Sequence, residues 1–200
     1  MFTQVIEGRV DDAAALRRQL EGWVADLAPP GWLGTTAGVT ADDDAVIIVR
    51  FASTTDAHAT SIRPEQDAWW RDTQPLFASP VTFRDCADTE VYLAGGSDDA
   101  GFVQVIRAGV ADPHRQNELA RELEALLPRH RPEIVGLTIA RHEDGGMTQV
   151  VYFTDEEQAR RGEREEPTGE LASILAEWRD LLDHPHYLDL PDPWLLSPVS

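Results

Sequence analysis

The chain has 200 residues, 42% of them hydrophobic, and 36 acidic residues against 17 basic ones give a formal net charge of −19. Every basic residue is arginine, which excludes Schiff-base lysine chemistry and the phosphate-binding Walker lysine, and the negative field argues against nucleic acid and anionic membranes as partners. One cysteine, Cys86, excludes an intramolecular disulfide and a cysteine-only zinc cluster, and no apolar run reaches the ~20 residues of a membrane span. Met1-Phe2-Thr3-Gln4 begins no basic-then-hydrophobic leader, so the expected compartment is cytoplasmic.

Phe2 to Arg9 alternates as a strand, with Phe2, Gln4 and Ile6 on one face and Thr3, Val5 and Glu7 on the other. Asp11 or Asp12 can cap a helix in which Leu16, Leu20, Trp23, Val24 and Leu27 form one buried stripe. Pro29-Pro30-Gly31 stops it. Trp32 to Val39 and Ala45 to Ala52 then read as a hairpin around an aspartate turn. Ser53-Thr54-Thr55-Asp56 has the capping-box pattern of a short helix, with Asp56 placed to reach back to the Ser53 N–H. Pro64 opens a second helix carrying Trp69, Trp70, Leu76 and Phe77 as far as Pro80, and Val81 to Arg84 is a fourth strand. Strand, helix, strand, strand, helix, strand is the ferredoxin-like order.

The first strand then returns. Phe102-Val103-Gln104-Val105-Ile106 repeats Phe2-Thr3-Gln4-Val5-Ile6 with Phe, Gln, Val and Ile in register. We therefore divide the chain into a module over 1–93, a small polar linker over 94–101 and a second module with a C-terminal tail over 102–200. In the second module Leu119, Leu123, Leu126 and Leu127 repeat the first helical stripe, and Thr154-Asp155-Glu156-Glu157 repeats the capping box. Arg160 to Glu166 reads as a charged, solvated connection. Leu171, Ile174, Leu175 and Trp178 form the strongest helical stripe, His186 to Leu190 is the last strand, and Trp194 holds the tail. Val5, Val105, Ile48 and Val150 are apolar on the face opposite the helices, so two such sheets would pack face to face.

The first-strand runs, Gly31-Trp32-Leu33-Gly34 at the second strand and Ile48-Val49-Arg50-Phe51-Ala52-Ser53 leading into a helix carry a resemblance. They resemble the dimeric α+β barrel superfamily and, within it, antibiotic-biosynthesis-monooxygenase-like domains fused in tandem. Arg63-Pro64-Glu65-Gln66, Trp69-Trp70 and Asp192-Pro193-Trp194 are similar to an actinobacterial group of such tandem proteins. The resemblance implies an α+β fold: two ferredoxin-like modules whose antiparallel sheets form an intramolecular barrel. The chain would then be its own pseudo-dimer, with further pairing into a homodimer left open. It also implies a ligand pocket between helices and sheet, for an apolar or aromatic small molecule.

On that expectation Gln4, Arg63, Glu65, Trp69 and Trp70 would bind ligand in the first module, with His58 as a catalytic base. Gln104 and Trp178 are the corresponding ligand-binding candidates in the second. Each has a plainer reading, as a structural hydrogen bond, core packing or a surface ion pair. His184-Pro185-His186 has the spacing of two metal ligands on one strand but no clear third, so neither a metal nor a cofactor is expected. Three functions stay open: a cofactor-independent monooxygenase, a non-catalytic scaffold whose tryptophans are core, and a haem-binding barrel with His184 as ligand.

Overall fold

A computed structural model of the chain describes residues 1–27, 29–93 and 95–198. Ala94, where the expected linker begins, and Val199 and Ser200, where the second module ends, lie outside the described residues. The first half runs β1 (Phe2–Arg9), α1 (Ala13–Asp26), β2 (Trp32–Val39), β3 (Asp44–Phe51), α2 (Thr54–Ser61), α3 (Pro64–Thr73), a 3₁₀ turn over Gln74–Leu76, and β4 (Thr82–Cys86). After it come β5 (Asp88–Leu93), β6 (Phe102–Val110), α4 (Pro113–His130), β7 (Ile134–Arg141), β8 (Gly146–Phe153), α5 (Glu156–Arg164), α6 (Gly169–Asp180), β9 (Leu182–Leu190) and β10 (Trp194–Leu196).

Side-chain caps start four of the helices. Asp12 and Asp112 accept from the backbone N–H of Ala15 and Arg115, at 2.8 and 2.9 Å, and Asp155 accepts from Gln158 N–H at 2.8 Å. Ser53 Oγ accepts from Asp56 N–H at 3.1 Å and donates back to the Asp56 carboxylate at 2.6 Å. The reciprocal bond of the capping box is thus made hydroxyl to carboxylate rather than to the Ser53 backbone. The helix expected to run to Pro80 ends at Thr73, because Pro75 supplies no N–H and the chain tightens into a 3₁₀ turn.

The strands form two five-stranded antiparallel sheets, in the orders β10-β2-β3-β1-β4 and β5-β7-β8-β6-β9. Within each, four strands keep the ferredoxin-like arrangement read from the sequence. The fifth was not anticipated. β10, at the end of the chain, pairs with β2, and β5, which the division at residue 93 placed inside the first module, joins β7 in the second sheet. Accordingly the chain divides into compact units made of Met1–Thr89 with Leu190–Ser200, and of Glu90–Asp189.

A bulge prepares each edge for its added strand. Pairing shifts between Trp32 and Gly34 on β2, and between Ile134 and Gly136 on β7. A Cβ on Gly34 would stand 3.1 Å from the Leu196 carbonyl oxygen, and one on Gly136 would stand 1.8 Å from that of Gly95. Glycine at these two positions lets the neighbouring backbone approach.

In the first unit Leu16 and Leu20 of α1 pack with Ile6, Ile47 and Trp194, while Phe2, Trp23, Trp32 and Phe51 form an adjoining cluster. In the second, the α4 stripe of Leu119, Leu123 and Leu127 meets Leu171, Ile174 and Trp178 of α6. Arg115 clamps these two helices with a two-pronged bond to Glu177, at 2.6 and 2.9 Å, which holds the Glu177 carboxyl below its ordinary range.

Three substitutions test these placements. Trp194→Ala removes a buried indole and should cost about 3–5 kcal/mol, read by chemical denaturation, with faster amide exchange over Thr35–Ala37, the β2 residues opposite β10. Gly136→Ala forces a backbone clash and should lower the melting temperature, whereas Gly22→Ala, in α1 with nothing within 4 Å, should stabilise by about 0.5–1 kcal/mol.

Candidate functional site

The first unit contains a cavity of about 360 Å³ between its three helices and the sheet. Strand alternation supplies its floor: Phe2, Gln4 and Ile6 from β1, Ile47, Val49 and Phe51 from β3, and Thr35 from β2. Leu20 and Trp23 of α1 close one side, and Ala57, His58 and Ser61 of α2 the other. From α3 come Gln66, Asp67, Trp69 and Trp70, and from β4 come Phe83 and Asp85.

The aromatic residues form one connected series. Trp23 meets Trp32 edge to face at 5.7 Å and Trp69 at 6.2 Å; Trp69 meets Trp70 at 6.1 Å; Trp70 meets Phe83 edge to face at 5.0 Å. Three indole N–H groups are held by the protein. Trp23 donates to Gln66 Oε1 at 2.7 Å, Trp32 to Thr35 Oγ1 at 3.0 Å, and Trp69 to the Gln19 carbonyl at 3.1 Å. These bonds fix the ring planes, so the wall needs no ligand to set its shape.

The polar groups are fewer. Gln4 is half-buried, and its Nε2 donates to Asp85 Oδ1 at 2.8 Å across neighbouring strands, where the two residues are direct register partners. Asp85 and His58 are exposed, which places them where the cavity opens to solvent. Asp67 is the second carboxylate, and no arginine is among the described residues that line the space.

Of the residues singled out from the sequence, the structure brings Gln4, His58, Trp69 and Trp70 to this one cavity. Arg63 and Glu65 stand apart. Arg63 Nη1 donates to the Leu27 carbonyl at 2.9 Å and its Nε lies 3.9 Å from Glu65, so the pair ties the start of α3 to the end of α1. Trp178 is buried in the core of the second unit. Gln104 donates to Asp189 Oδ1 at 2.9 Å and to Glu163 at 3.3 Å. His184 is almost fully exposed, its backbone at φ 48°, and no cluster of three metal-ligating side chains occurs among the described residues.

Asp85, Phe83 and Gln66 were missed. A signal for the first two exists in the repeat: Phe83-Arg84-Asp85 matches Tyr187-Leu188-Asp189, and both aspartates lie opposite a first-strand glutamine. Arg160, read as part of a solvated connection, instead lies on α5 with its guanidinium bonded to Asp189.

No known family's profile matches the chain, and no curated protein matches it. Solved structures do match in fold. A candidate monooxygenase from Fusobacterium nucleatum superposes with a TM-score of 0.74 at 10% identity, over 98% of this chain and 94% of that one. A candidate monooxygenase from Lactobacillus acidophilus gives 0.71 at 12% identity, over 98% and 99%. An anthrone oxidase-like protein gives 0.66 at 13% identity, over 98% and 91%. At these identities the likeness is one of fold, and the chain carries, along nearly its whole length, the ferredoxin-like α+β fold of proteins named for monooxygenase chemistry.

Proposed function

We propose that the first unit binds a small planar aromatic molecule and oxidises it with dioxygen, without a cofactor. The cavity carries this reading. At about 360 Å³ it falls in the range of small-molecule sites, its tryptophan and phenylalanine side chains form an aromatic wall, and its polar groups are Gln4, Gln66, His58, the carboxylates Asp67 and Asp85, and several hydroxyls. The scaffold reading requires that space to be filled, with Trp69 and Trp70 serving only as core. Haem has less support: His184 is exposed in the second unit, and the one histidine lining the cavity, His58, faces solvent.

The fold likeness to an anthrone oxidase-like protein suggests the class of chemistry. In an anthrone-like substrate a CH₂ lies between two aryl rings and is acidified by the ketone opposite. Loss of one proton to a base leaves a delocalised carbanion that reduces dioxygen. One oxygen atom becomes the new carbonyl, and the other leaves as water with the two substrate hydrogens. The protein's part is to orient the rings against Trp69 and Trp70 and to accept the first proton, a role we assign to the His58 imidazole.

Oxygen uptake with anthrone- and quinol-type substrates, corrected for spontaneous oxidation, tests the assignment. His58→Ala should lower kcat by about 10²-fold, and Trp70→Ala should raise KM by about 10-fold. Rates indistinguishable from buffer in the wild-type protein would sink the oxygenation step. Rates untouched by both variants would move the reaction away from this cavity.

A further inference from the structure

The second unit presents the same polar construction with its centre occupied. Phe102 opens β6 as Phe2 opens β1, and each ring packs against the last residue of the neighbouring strand, Phe153 at 5.7 Å and Phe51 at 6.4 Å. Gln104 Nε2 donates to Asp189 Oδ1 at 2.9 Å as Gln4 Nε2 donates to Asp85 Oδ1 at 2.8 Å. Arg160 completes the set. It is the fifth residue after the cap Asp155, its guanidinium carbon sits 5.0 Å from the centre of the Phe102 ring, and its Nη2 is bonded to Asp189 Oδ2. The fifth residue after the matching cap Ser53 is His58, whose shorter side chain lines the open cavity. Phe2, Gln4 and Asp85 all line that cavity too, without an arginine among them.

The geometry points to a ligand that supplies what His58 does not: we propose that the molecule bound by the first unit carries a planar nitrogen cation, of the amidinium or guanidinium class, on its aromatic body. This rests on the reading of the cavity as a small-molecule site and narrows its substrate class. The cation stacks on Phe2 and donates to Asp85 Oδ2, while Gln4 holds Oδ1, and the aromatic body lies along Trp69 and Trp70. Electrostatics agree. The lining holds two carboxylates, Asp67 and Asp85, and the chain carries a net charge of −19, so an anionic ligand would meet repulsion on approach and at the site. Arg160 marks how such a group sits, because a guanidinium fits a carboxylate edge and an aromatic face at once.

Isothermal titration of the full chain with three probes of nearly one shape tests this: 2-naphthamidine, neutral 2-naphthamide and anionic 2-naphthoate. The amidine should bind at least 10-fold more tightly than the amide, and the naphthoate more weakly than both. Asp85→Asn, which keeps an acceptor for Gln4, should bring the amidine down to the level of the amide. Asp42→Asn, in the exposed turn before β3, should leave the preference intact and so separates a local effect from the general field. Equal binding of all three probes, or an amidine preference that survives Asp85→Asn, overturns the cation assignment while leaving an aromatic pocket standing. Binding of none overturns the pocket reading with it. Unchanged circular dichroism and melting temperature of Asp85→Asn show that any loss is not unfolding.

Discussion

An amide on the apolar face of a first strand has to be paired, because an unsatisfied carboxamide in such a place costs about 1–3 kcal/mol. Gln4 and Gln104 both meet this constraint in the same way, by donating to an aspartate on the adjacent edge strand. The pairing links the middle of each sheet to its edge and turns a carboxylate toward the space beneath the helices. What surrounds that carboxylate then differs between the units, and the difference is the basis of the functional assignment.

In the second unit the carboxylate is neutralised from within. Arg160 joins Asp189 and Glu163 and covers Phe102, and the guanidinium is held even more firmly in its charged form by these acceptors. Elsewhere in this unit the fully buried Gln116 donates to Met147 Sδ and accepts from Arg141. The first unit holds five of the six tryptophans, and its carboxylate Asp85 stands on the solvent side. Trp23, Trp32, Trp69 and Trp70 are set at angles and distances that favour ring contacts, and three of their N–H groups are already committed to protein acceptors. The two units thus differ in organisation, one around ion pairs and the other around an aromatic wall.

That wall suits a reaction in which the protein contributes position more than reactivity. A substrate able to form a stabilised carbanion needs a defined orientation, a nearby base and access for dioxygen. In the oxygenation we propose, the indoles of Trp23 and Trp69 would supply the first, since each is held by a hydrogen bond between α1 and α3.

That Gln4, His58, Trp69 and Trp70 would share a pocket was implied by the family resemblance alone, whereas the recurrence of the first-strand pattern, the order of elements in each module and the helical stripes were legible in the residues. Each of the latter follows from local periodicity, caps and breakers, and a strand face or helix face is decided within a few residues. Only the tertiary structure decided the exchange of edge strands. β10 is three residues long, and β5 is a six-residue run at the end of the span assigned to the first module; neither has a local pattern that names its partner. It also decided that Arg63 and Glu65 serve a helix junction, that Asp85 meets Gln4 at the mouth of the cavity and that Arg160 is bonded to Asp189. Arg160 reads as solvated because its partner Asp189 lies 29 residues away, and Asp85, 81 residues from Gln4, carries no local sign of that pairing. Such long-range pairings leave no periodic trace in the chain, and side-chain direction at a sheet edge or on a short helix is settled by the neighbours that folding brings.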